Sequence, residues 1–152
     1  MLHPAPTTKI DPTLARGTIL AVRDADDRHP ARVVMGFPNT DYQIELVIHG
    51  DVEPVRALVG EMVLARLYAE ARRIDTPYAG GRRFEPCIGR PTRLLGTVVG
   101  ADPVANVLVI NASQPIALKV AAPGQRAEEL AKADFIVCDV KPGAWFVLDR
   151  AY

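Results

Sequence analysis

The stretch Gly17-Thr18-Ile19-Leu20-Ala21 returns as Gly96-Thr97-Val98-Val99-Gly100, and Gln43-Ile44-Glu45-Leu46-Val47-Ile48 returns as Pro115-Ile116-Ala117-Leu118-Lys119-Val120. Outward from these pairs, the remaining parts keep the same order. A short Ala/Leu-containing segment around Leu58, and then around Leu130, follows each alternating stretch. An acidic residue then opens an apolar run, Glu61-Met62-Val63-Leu64-Ala65 in one case and Asp134-Phe135-Ile136-Val137-Cys138 in the other. Self-similarity in a fixed order points to a duplicated supersecondary unit.

Strands are expected at residues 18–22, 32–35, 43–48 and 62–67. In the third, Ile44, Leu46 and Ile48 share one face by the two-residue period of a strand. A short helix or irregular cap over 52–59 is ended by Gly60, which accepts the positive φ of a helix stop. The second copy predicts strands at 96–99 and 107–110 joined through Asp102-Pro103-Val104-Ala105-Asn106, and a helix over 127–132. Lys141-Pro142-Gly143-Ala144 suits a type II turn joining two apolar strands into a hairpin. Trp145, the single tryptophan, is expected to fill a core.

Three strands, a helix and a closing strand, taken twice, is the order of an OB-like Greek-key barrel, which also disposes of open sheet edges. The expected architecture is mainly β: duplicated OB-like Greek-key barrel units with one short helix per repeat. The Gly-Thr-hydrophobic strand, the Asp-to-Asn connection and the late helix-strand step resemble small OB-like repeat domains of bacterial proteins with unassigned function. The resemblance spans most of 96–148 and, more loosely, 17–67, and it implies a fold but no activity. Residues 1–16 read as a proline-punctuated arm, 17–67 as the first repeat, 68–93 as an arginine-rich insertion or linker, and 94–152 as the second repeat.

Eighteen basic and eighteen acidic residues cancel, so no global field draws this chain of 152 residues toward nucleic acid or an anionic membrane. The longest apolar runs fall short of the ~20 residues that span a bilayer. Pro4, Pro6 and Pro12 interrupt a start that lacks the cationic and apolar regions of a signal peptide, so cytoplasmic residence is expected. Cys87 and Cys138 have no metal-ligand spacing and are expected as free thiols.

The zero total hides a division. Between Arg66 and Arg93, seven arginines (Arg66, Arg72, Arg73, Arg82, Arg83, Arg90, Arg93) face three carboxylates (Glu70, Asp75, Glu85), an excess of four positive charges that the remainder of the chain must balance. Tyr68, Tyr78 and Phe84 lie among them. Guanidinium groups hold phosphates while aromatic faces stack bases, so Arg72, Arg73, Tyr78, Arg82, Arg83, Phe84, Arg90 and Arg93 are candidate contacts for single-stranded nucleic acid. Arginine and tyrosine are equally the residues of protein interfaces. A basic segment on an acidic body favours assembly with other protein subunits, self-association first, and that reading is preferred, with nucleic acid as the alternative.

Asp24, Asp26, Asp27 and His29 lack the glycine and distant glutamate of an EF-hand and read as a polar turn. Ser113, the single serine, has no nucleophile elbow, and Cys87 has no nearby histidine in sequence. No catalytic, metal or cofactor residue is therefore assigned, and a non-enzymatic role is expected.

Overall fold

A computed structural model describes residues 11–77 and 79–152; the greater part of the proline-rich arm and Tyr78 lie outside the described residues. The fold is mainly β, one mixed sheet of eleven strands with two short helices. The order is β1 (Ala15–Arg23), β2 (Arg32–Gly36), β3 (Gln43–Ile48), α1 (Val52–Arg56), β4 (Met62–Asp75), β5 (Arg83–Glu85), β6 (Ile88–Gly89), β7 (Arg93–Asp102), β8 (Val107–Asn111), β9 (Pro115–Val120), α2 (Ala127–Leu130), β10 (Phe135–Val140) and β11 (Trp145–Ala151). Among the described residues no helix is long and apolar enough to cross a membrane.

The pairings return on themselves twice. β1, β2 and β3 form an antiparallel meander; β3 lies parallel to β11, β11 antiparallel to β4, and β4 antiparallel to β1. Likewise β7, β8 and β9 form a meander; β9 lies parallel to β4, β4 antiparallel to β10, and β10 antiparallel to β7. Strand β4 belongs to both circuits. Its first part, Met62 to Ala65, pairs with β1, and Tyr68 to Ala71 pairs with β9. Leu67, Ala69, Ala71 and Ile74 are buried, so the apolar face that starts in the first circuit continues into the second. One apolar core receives side chains from both, among them Leu46, Leu67, Leu118 and Phe146.

The two Gly-Thr motifs occupy matching places. In β1 the register against β2 slips between Ile19 and Ala21, and in β7 the register against β8 slips between Val98 and Gly100, leaving Leu20 and Val99 as the extra, exposed residues of two β-bulges. The residue before each bulge donates its N–H to the acidic residue that opens the fourth strand, Ile19 to Glu61 O at 3.1 Å and Val98 to Asp134 O at 3.0 Å. Both glycines permit a close backbone approach. A Cβ on Gly17 would stand 2.5 Å from Gly36 O, and one on Gly96 would stand 2.7 Å from Asn111 O.

Three expectations need correction. Residues 68–75 are the second part of β4, in the middle of the sheet, so the segment from 68 to 93 does not begin as an insertion. Further along, β5 pairs with β7 and β6 with β3, bridging the two circuits. Strands β10 and β11 are no hairpin. Both run antiparallel to β4, end to end, and the turn between them, with Gly143 at φ +97°, shifts the chain sideways from the β7 side to the β3 side. Trp145 is half-buried on the outer face. Its neighbours Ala144 and Phe146 point inward, and strand alternation turns the indole out.

Alanine at Gly17 or Gly96 should destabilise the protein by about 1–3 kcal/mol, because backbone cannot yield to the added methyl. Alanine at Gly100, where a Cβ would have nothing within 4 Å, should be near neutral. Urea denaturation of the three variants checks the contrast.

Candidate functional site

Two adjoining depressions have volumes of about 470 Å³ and 730 Å³, the first over β2 and β3 and the second beside β7 and β10. Arg90 and Pro142 line both, which makes them one groove. The first part lies between the loop end His29-Pro30, the strand residues Arg32, Glu45 and Val47, and the turn at Gly143 and Ala144. The second is walled by Arg72, Glu85, Thr92, Arg93 and Asp139. Elements of both circuits build it, since Arg32 and Glu45 stand on β2 and β3 while Arg93 and Asp139 stand on β7 and β10.

The backbone explains how Arg72 arrives there. Between Ala71 and Ile74 strand β4 spends three steps where β10 spends two, from Val140 to Cys138, so Arg72 and Arg73 sit in a bulge and both are exposed. They part company: Arg72 faces the groove, whereas Arg73 lines a separate depression with Arg126 and Lys132. The turn beside the groove is anchored by Lys141, whose Nζ lies 2.9 Å from Glu70 Oε1, and this hydrogen bond holds the Glu70 carboxyl below its ordinary range.

Charges in the groove are mixed. Arg32 Nη1 lies 2.8 Å from Glu45 Oε1, and Arg83 and Arg93 share Glu85 at 3.2 and 3.9 Å. Arg72 and Arg90 have no carboxylate within 4.0 Å among the described residues. The groove thus offers two uncommitted guanidinium groups between paired ones, an arrangement that binds carboxylate or phosphate bidentately.

Of the residues singled out by sequence, Arg72, Arg90 and Arg93 come together in this groove, Arg73 lies apart, and Arg82 is exposed outside it. Arg83 is engaged by Glu85 on β5. Phe84 is no contact residue: it is 2% exposed, and its ring packs 5.2 Å from Phe37 and 5.9 Å from Tyr42. Its N–H donates to Tyr42 Oη at 3.1 Å. Tyr78 lies outside the described residues. The Asp24–His29 segment is a turn closed by Asp26, whose Oδ1 accepts the N–H groups of Arg28 and His29 at 2.8 Å each.

Sequence reasoning missed an aromatic stack on the outer face where the two circuits meet. Tyr68 and His49 stack on the Trp145 indole at centroid distances of 5.2 and 5.1 Å, and Lys119 Nζ sits 5.4 Å from its centroid. The alternation of Trp145 with Phe146 was the available signal. Compared with known proteins, the sequence matches no family model and no curated protein.

The two thiols should differ sharply. Cys87 is exposed, whereas burial pushes the Cys138 thiol from an ordinary value of 9.0 up to about 12, with Asp139 adding to the effect. A thiol reagent at mildly alkaline pH should label Cys87 alone in the folded protein and both cysteines in urea. Since the folded value is the raised one, the thiol's contribution to stability is intact below pH 9 and falls away as pH climbs toward 12. Labelling of both cysteines without denaturant would contradict the burial.

Proposed function

We propose that this protein is a non-enzymatic, cytoplasmic binding module that assembles with other protein subunits, a second copy of itself foremost, and that it is built from two OB-like barrels which exchange strands. The strand-exchange part is supported by the pairing order. In an OB barrel the fifth strand lies parallel to the third and antiparallel to the fourth. Here β11 stands in that relation to β3 and β4, and the second part of β4 stands in it to β9 and β10. The paired bulges after Gly17 and Gly96, and a short helix between the third and fourth strands of each unit, support the duplication.

The observation that carries the binding role is the pair Arg72 and Arg90, exposed in one groove without carboxylate partners among the described residues, on a chain whose total charge is zero. Such a surface is complementary to the acidic remainder of the same molecule. A protein partner also fits the mixed charges of the groove, where Glu45, Glu85 and Asp139 would repel a run of phosphates.

Single-stranded nucleic acid is the second reading, and one observation favours it. The first part of the groove lies over β2 and β3, between the loop that joins β1 to β2 and the 141–144 turn, the face on which OB barrels hold oligonucleotides. Against it, Phe84 is buried, and the Trp145 indole is already stacked by Tyr68 and His49 within the molecule.

Light scattering over a wide concentration range should reveal reversible self-association that weakens as salt rises. A strict monomer at low salt would overturn the self-association reading. Anisotropy of labelled single-stranded DNA and RNA, measured at two salt concentrations, tests the second, and no binding at low salt dismisses it.

A further inference from the structure

We infer that the groove carrying Arg72 and Arg90 receives the acidic loop Asp24–Asp27 of a second copy of this chain, each copy serving the other, so that the assembly is a two-fold dimer. This rests on the self-association reading above and assigns its surfaces. The loop follows β1 and is exposed throughout. Three of its four residues are aspartates. It is held in shape before any partner arrives: Asp26 N–H donates to His29 O at 2.9 Å, and Asp26 Oδ1 accepts from Arg28 and His29. Asp24 is steadied by Arg56 Nη2 at 2.7 Å, while Asp27 has no ion-pair partner among the described residues. A preformed loop loses little freedom on docking.

Placement argues for two-fold symmetry. His29 and Pro30, at the end of this loop, form one wall of the groove, yet none of residues 24–27 lines it. The acidic loop therefore adjoins the groove through His29 and Pro30, while its own carboxylates do not line the groove of the same molecule. A patch carrying both halves of a complementary pair is what an isologous interface requires, because residue i of one copy meets residue j of the other and the reverse. Had the two lain on opposite faces, the same charges would build open chains. Arg90, shared by both parts of the groove, and Arg72 beyond it are the uncommitted cations that carboxylates of Asp24 and Asp27 would engage. Those contacts are charge-assisted hydrogen bonds of the stronger kind.

Charge exchange between two variants tests the pairing. One carries Arg72→Glu and Arg90→Glu, the other Asp24→Lys and Asp27→Lys; Asp26 is kept because its carboxylate builds the turn. All four positions are exposed, and circular dichroism checks that each variant is folded. If a double variant does not fold, Arg90→Glu and Asp27→Lys alone are read in the same way. By sedimentation velocity, each variant alone should self-associate ~10-fold or more weakly than the parent. An equimolar mixture should recover a one-to-one dimer, since one reciprocal contact is then the native aspartate–arginine pairing and the other is its charge-reversed lysine–glutamate counterpart. Two outcomes would overturn the assignment of surfaces while leaving self-association standing: variants that associate as the parent does, or a mixture that stays monomeric when the parent dimerises. A parent that never associates would remove the underlying reading itself.

Discussion

Both edges of β4 are paired along much of their length, by β1 and β9 on one side and by β10 and β11 on the other, and the rest of the molecule hangs on that strand. A backbone group buried in a core must find a partner, and here the partners come from four strands spread over more than a hundred residues of chain. Neither circuit can close without β4. The first also needs β11, so its opening meander lacks one neighbour until a strand far along the chain from β3 has docked. Long-range pairing of this kind is slow to form but leaves few open edges once formed.

Sharing a strand places chemistry as well as structure. Past the point where β4 passes into the second circuit, the bulge at Arg72 and Arg73 lies in its pairing with β10, and the two arginines are sent to different depressions. The segment from β5 to β6 crosses the same seam. Buried Phe84 pins it to Phe37 and Tyr42 beside the first circuit while β5 pairs with β7 of the second, which leaves Arg90 facing the groove. A groove built at a seam takes its charges from both sides. That is why it mixes the Arg32–Glu45 pair of one circuit with Arg93 and Asp139 of the other.

Much of the local structure was legible in the sequence, and the reason is physical. The glycine of each Gly-Thr motif is required where two backbones approach within a methyl's reach, and the bulge two or three residues later recurs with it. Alternation in 43–48 and the turn residues at Asp102, Asn106 and Gly143 likewise report on their own neighbourhood. The course of β4 past Leu67 was harder to read. Its period continues through Ala69 and Ala71, but alanine is a weak apolar marker and charged residues surround it. Which strand lies beside which, across separations of 50 or 80 residues, is settled by core packing and leaves no local signature. The meeting of Arg72, Arg90 and Arg93, and the stack on Trp145, were hidden for the same reason, because each joins residues from distant strands.

The shared strand is tested most directly by native-state hydrogen exchange followed residue by residue along β4. Amides of 63–67, within the first circuit, and of 69–74, within the second, should open with one common free energy equal to that of global unfolding, since neither part can separate while the other stays closed. Two distinct free energies, each matching the amides of its own meander, would mean two independently stable barrels and would contradict the account.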